Sequence, residues 1–195
     1  MEDLHLHDWK LASRGSDRLG IHLNDIDLKS CDKKGFVVYD TTTFRKLCGM
    51  LKPSDFAIEL GCSYGKATKV LAKHQGSSRV LGVDVSKDAL ASASKNYPDV
   101  TFFRCDVLQT PHILNEKVIA MLENISSNNG DDDKKDDVTQ EQSESESKSE
   151  SESDLVCFVD IGGNRELEAL AALLPWVAAK LPMQPRVIVV KSQSL

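Results

Sequence analysis

The stretch from Asp55 to Lys66, Asp-Phe-Ala-Ile-Glu-Leu-Gly-Cys-Ser-Tyr-Gly-Lys, constrains this chain more than any other. An apolar run reaches an acid, small residues follow, and a helical pattern opens behind them. The pattern predicts a buried strand over Phe56–Leu60, a tight turn over Gly61–Gly65 and a helix over Ala67–His74. Gly61 and Gly65 can take backbone angles closed to other residues and leave room for a ligand beside the main chain. The helix start offers unpaired N–H groups and the positive end of a dipole, so the turn suits something polar.

Spacing separates the candidate ligands. A dinucleotide turn needs glycine at 63 and glycine or alanine at 66, where Ser63 and Lys66 stand. A phosphate-cradling loop has its Gly65-Lys66, but the first glycine comes one residue late and Ala67 replaces the metal-binding hydroxyl. Gly61-Cys62-Ser63-Tyr64-Gly65 also spells a nucleophile elbow, which needs a histidine late in the chain as base. The five histidines are 5, 7, 22, 74 and 112, and none follows the last two predicted strands.

The rest of the chain alternates strand and helix patterns. Asp40-Thr-Thr-Thr43 supplies caps for a short helix with Phe44, Leu47, Cys48 and Leu51 on its apolar face. Beyond the turn, Gly76 serves as a C-cap, Arg79–Asp84 reads as a second strand, and Ser86 caps a helix ended by Asn96-Tyr97-Pro98. Val100–Asp106 reads as a third strand, and Thr110-Pro111 opens a helix carrying Leu114, Val118 and Met121. Leu155–Asp160 is a fourth strand. A helix with Leu167, Leu170, Leu174 and Val177 inward follows, which Pro175 should kink or split. Arg186–Lys191 is the fifth strand. Near-continuous apolar strands separated by helices predict an α/β fold with a parallel sheet covered on both faces.

Composition sets the remaining bounds. A chain of 195 residues with 41% hydrophobic content can bury one domain's core. It has no apolar run of ~18 residues and no secretory pattern at its start. Five cysteines without a Cys-x-x-Cys pair read as reduced thiols of an intracellular, cytoplasmic or nuclear protein, and no metal set is expected. The net charge of −6 divides unevenly: residues 126–154 hold eleven acids against three lysines, leaving the remainder at about +2. That segment, rich in Ser, Asp and Glu, is expected to be a disordered insertion. Ser143, Ser147, Ser149 and Ser151 each precede an acid by three residues, a pattern acidophilic kinases use, so phosphorylation or capture of a basic partner are its functional readings. Residues 1–34 are expected to form an N-terminal arm, with Trp9 as a packing anchor, and 35–195 the domain.

Glu59-Leu60-Gly61-Cys62-Ser63-Tyr64-Gly65 resembles the Asp/Glu-x-Gly-x-Gly-x-Gly first motif of class I S-adenosylmethionine-dependent methyltransferases, with Ser63 in place of the middle glycine. The resemblance covers about Thr43 to Lys191 apart from the insertion. It implies a doubly wound, Rossmann-like three-layer sandwich with a mainly parallel sheet of order 3-2-1-4-5, helices on both faces and S-adenosylmethionine as cofactor. Asp84 and Val85 would then meet the ribose, and Cys105, Asp106 and Val107 the adenine. Gly61, Cys62, Ser63 and Gly65 would border the methionine portion. Glu59 would order the loop and the ammonium, and Asp160 would meet the methionine ammonium or the acceptor. Each strand-end acid also has a plain capping role open to it.

Lys191, Asp160 and Lys46 form a trio similar to that of RNA ribose 2′-O-methyltransferases, which makes Asp160 and Lys191 the candidate catalytic pair. The methyl acceptor itself, small molecule, protein or RNA, is not identified by these residues. The family usually adds an antiparallel pair of strands after the fifth. This sequence lacks them, so Val187–Val190 is expected to lie on an open edge, either covered by a dimer or left by truncation. Two other readings stand beside the enzyme: an ATP-binding domain, in which Leu155–Asp160 ends in a magnesium-binding acid, and a non-catalytic scaffold.

Overall fold

The computed structural model describes residues 8–13, 21–128, 154–161 and 167–192. Three strands precede the Asp55–Lys66 stretch: β1 (Asp8–Ser13), β2 (Ile21–His22) and β3 (Lys34–Val38). Helix α1 (Thr41–Cys48) follows, started by Asp40, whose carboxylate accepts from the N–H groups of Thr42 and Thr43. Then come β4 (Phe56–Leu60), α2 (Lys66–Gln75), β5 (Val80–Asp84), α3 (Lys87–Asn96), β6 (Thr101–Arg104) and α4 (Pro111–Asn128). The described chain closes with β7 (Leu155–Val159), α5 (Leu167–Lys180) and β8 (Pro185–Lys191). Ser86 accepts from the Ala89 N–H, and Gly76 ends α2, as the capping residues predict.

These strands form one eight-stranded sheet of order β2-β1-β3-β8-β7-β4-β5-β6, parallel at every pairing. Counted from β4, the expected 3-2-1-4-5 arrangement is present as β6-β5-β4-β7-β8. Alternate strand residues serve opposite faces. Ala57, Val156, Phe158, Val187 and Val189 meet α1 and α2, with Phe44 edge-on to Phe158 at 5.4 Å between ring centres. Ile58, Leu60, Cys157, Val159 and Ile188 meet α4 and α5 through Leu114, Val118, Leu173 and Val177.

Three expectations are corrected. The fifth predicted strand, β8, is not an edge: β3 pairs along it from Lys34↔Val187 to Val38↔Lys191. A dimer through that edge therefore has no open strand to use. The apolar run Gly35-Phe-Val-Val38, not assigned to a strand from sequence, supplies the cover, and β1 adds outside it with the Trp9 ring lying against Gly35. Residues 8–13 and 21–22, expected in an arm, are thus strands of the sheet. Pro175 does not split its helix, because α5 is a single element from Leu167 to Lys180. The bond lost at the proline is one among many, and the apolar face of Leu170, Leu173 and Val177 stays buried.

The described ends of the expected insertion at 126–154 are ordered. Ser126 and Ser127 are helical, with hydroxyls donating to the carbonyls of Leu122 and Glu123. Asp154 is ordered too, its carboxylate 3.0 Å from Lys52 Nζ. Residues 129–153, with their candidate phosphorylation sites, lie outside the described residues, as do His5, His7 and Gly162-Gly163-Asn164. No helix among the described residues is long and apolar enough to cross a membrane.

Candidate active site

The chain leaves β4 with the N–H groups of Gly61 and Cys62 both donating to the Val83 carbonyl of β5. Three positive φ angles then reverse it: 84° at Gly61, 48° at Ser63 and 73° at Gly65. Ser63 thus adopts the left-handed conformation that a glycine would take with less strain. The space left by the glycines goes to the protein itself. A Cβ on Gly61 would stand 2.1 Å from the Asp160 carbonyl oxygen, and one on Gly65 would stand 2.7 Å from the Phe102 ring. The close approach expected of a ligand is made instead by the end of β7 and by an aromatic side chain on β6.

Above this turn, at the carboxyl ends of the strands, lies a cleft lined by Gly61, Ser63, Val83, Asp84, Val85, Cys105, Asp106, Val107, Asp160 and Ile161. This is where open α/β sheets place ligands, at the point where strand order reverses. Asp84 is fixed from two sides: the Ser63 N–H donates to Oδ2 and the Ser86 N–H to Oδ1, both at 2.8 Å. The capping role and the ligand-facing role therefore coexist. Each oxygen has a further acceptor site that a diol can use. Asp106 accepts through Oδ1 from the N–H groups of Leu108 and Gln109, which fixes its carboxylate at the cleft wall. Val85, 41% exposed, gives the cleft an apolar lip.

Of the predicted cofactor-contacting residues, Glu59, Cys62 and Gly65 do not line the cleft. They support it from beneath. Glu59, 2% exposed, accepts from the Thr68 hydroxyl of α2. Burial, reinforced by Asp160 nearby, pushes its carboxyl up to about 8 against the opposing Thr68 hydrogen bond. Burial, with Glu59 and Asp84 adding to it, pushes the Cys62 thiol far up, so this thiol is not a nucleophile at neutral pH.

The candidate catalytic pair does meet. Lys191 Nζ, at the end of β8, stands 2.6 Å from Asp160 Oδ2 and donates to the Thr41 hydroxyl at 3.2 Å. Lys46 goes elsewhere, to Asn24 Oδ1 at 3.5 Å, so the expected trio is a pair completed by Thr41. The sequence reading missed Thr41, Thr68, Ile161 and Phe102. Thr41 is 150 residues from Lys191, and only the β3–β8 pairing, which no local signal announces, brings the start of α1 beside that lysine.

A methyltransferase-domain family model matches residues 57–141. Among curated proteins, the trans-aconitate 2-methyltransferase of Afipia carboxidovorans is 35% identical over 49 residues, which is 25% of this chain and 19% of that protein. The same-named proteins of Acidovorax sp. (strain JS42) and Acidovorax ebreus are each 38% identical over 50 residues, 26% of this chain and 19% of theirs. The aligned part thus spans about a fifth of the length of these relatives.

Proposed function

We propose that this chain, whose central domain is of the class I S-adenosylmethionine-dependent methyltransferase kind, binds S-adenosylmethionine in the cleft over β4, β5 and β6 and uses it to methylate an acceptor entering beside Asp160 and Lys191. The observation that carries the reading is the Asp84 carboxylate, held by the Ser63 and Ser86 N–H groups with acceptor capacity directed into the cleft. A ribose diol offers two donors to such a group. Val85, Cys105, Val107 and Ile161 provide apolar surface for a flat ring, and the fixed Asp106 carboxylate can accept from an exocyclic amino group.

When bound, this cofactor supplies a methyl group already activated on a sulfonium, so the residues have two tasks: orientation and proton handling. The turn from Gly61 to Gly65 and the Asp84 clamp fix the donor side. On the acceptor side, Asp160 and Lys191 form a short ion pair steadied by Thr41. A hydroxyl acceptor is favoured by that pair, which can accept the proton the oxygen must lose.

Calorimetric titration with S-adenosylmethionine tests the reading, with magnesium ATP as the control ligand. Saturable binding of the methyl donor is expected, and Asp84→Asn should weaken it by roughly a hundredfold, since hydrogen bonds to a charged acceptor contribute about 1.5–3 kcal/mol each. Silence toward S-adenosylmethionine from the folded protein would sink the proposal; binding of ATP alone would replace it with a nucleotide-binding domain.

A further inference from the structure

Helix α2, Lys-Ala-Thr-Lys-Val-Leu-Ala-Lys-His-Gln, contains no acid and three lysines, at 66, 69 and 73. Positions i, i+3 and i+7 fall on one side of a helix, along a line of about 10 Å at 1.5 Å per residue. Ala67, Thr68, Leu71 and Ala72 occupy the buried side, so all three lysines face solvent. No carboxylate among the described residues lies within ion-pair distance of any of them.

The lower part of this line opens on a groove between α2 and the turn from α3 into β6. Lys69, Lys73, Ser77, Asn96, Tyr97 and Asp99 border it, and none of its lining residues belongs to the cofactor cleft. Lys69 Nζ stands 4.9 Å from the centre of the Tyr97 ring. The upper end, Lys66, begins α2, two residues after Tyr64, which is 57% exposed. Asp99 is the one acid bordering the groove, against two lysines there and a third on the line above.

We propose that this face of α2 binds a single-stranded nucleic acid, Lys66, Lys69 and Lys73 neutralising backbone phosphates while Tyr97 and Tyr64 meet unpaired bases. Lysines are compact point charges that track a phosphate backbone without reading sequence. Their spacing along a line, rather than convergence on one point, fits a repeating anion better than a single phosphorylated residue. An aromatic ring beside the cations, Tyr97 against Lys69, with the exposed Tyr64 just before the helix, matches the way unpaired bases are held, by stacking over a basic track. The surface stands independently of the methyl-donor reading, because the two sites share no lining residue.

Fluorescence anisotropy of the full chain with a labelled oligouridylate of about ten nucleotides tests this. Saturable binding is expected at about 50 mM salt. It should weaken roughly twentyfold by about 200 mM, the dependence for some three phosphates neutralised on a single strand. Lys69→Glu with Lys73→Glu should remove binding, and the two Lys→Gln changes should weaken it less, while titration with S-adenosylmethionine stays as in the parent protein. No saturable binding at low salt, or binding that the Glu variant leaves unchanged, overturns the proposal. So does a preference for a phosphoserine peptide over the oligonucleotide. Oligonucleotide binding that emerges only when the acids of residues 131–152 are changed to amides also overturns it, since this chain's own acidic segment would then be the occupant.

Discussion

A carboxyl group shut away from water stays neutral unless a close cation or several donors compensate it, and among the described residues Glu59 is bonded by Thr68, through its hydroxyl and its backbone N–H, with a weaker pull from Arg45. Its folded value of about 8 stands above the ordinary 4.5, so between those limits the folded chain holds a proton that the unfolded chain releases. The stability this proton confers is fully present below about 4.5 and is lost as pH rises through about 8. Urea unfolding should therefore show the parent protein losing a few kcal/mol more than Glu59→Gln between about pH 5 and 8.5. The amide keeps an acceptor for Thr68 but carries no titrating proton. Equal pH profiles for the two proteins would mean that the buried carboxyl is ionised throughout. Motif spacing singled out Glu59 as a residue ordering the turn. Its burial beneath the cleft depended on Thr68 arriving from the next helix, one turn in from its start.

At the scale of elements, the β4–α2 turn owes its shape to two separate demands that the sequence presents as one. Gly61 and Gly76 both have strongly positive φ, 84° and 83°, yet a Cβ on Gly61 meets the Asp160 backbone while one on Gly76 meets nothing within 4 Å. Gly76→Ala should thus cost only the backbone strain of a side chain at φ 83°, ψ 144°, about 1–3 kcal/mol. Gly61→Ala adds a backbone collision between the ends of β4 and β7, and should cost on the order of 3 kcal/mol or more in chemical denaturation and weaken donor binding as well. Equal losses would show that the β7 end moves aside freely. The strand, turn and helix here were legible from residue pattern because apolar runs, glycines and caps act over a few residues. The neighbours that fill the glycine spaces, Asp160 and Phe102, were not, since they arrive from other strands.

Across the whole molecule, the edge opposite the cleft is fastened by a buried charge network. Arg186, at the foot of β8, donates to both oxygens of Asp55 before β4 and to the carbonyls of Leu28 and Cys31 in the loop leading to β3. One side chain therefore ties the sheet's centre to the segment that covers its far strand. Arg186→Ala leaves Asp55, fully buried, without its cation, and should cost about 3–5 kcal/mol. Pairing the change with Asp55→Leu should recover part of the loss, because an apolar pair does not strand a charge. If the double variant is no more stable than the single one, the tie to Leu28 and Cys31 matters more than the ion pair.

The sequence by itself determined the alternation of strands and helices, the helix caps at Asp40 and Ser86, the turn at Gly61–Gly65 and the acids at the strand ends. Those features follow from side-chain periodicity and from hydrogen bonds made within a few residues. Tertiary structure alone decided that β3 closes the edge of β8, that Thr41 completes the Lys191–Asp160 pair, and that Glu59 is buried against Thr68. It also brought Tyr97 beside Lys69 and Lys73 at one groove. Parallel strands carry no hairpin signal for their partners, and the register of Lys34 with Val187 joins residues at opposite ends of the chain. Such contacts are set by which apolar faces remain to be covered once the local elements have formed.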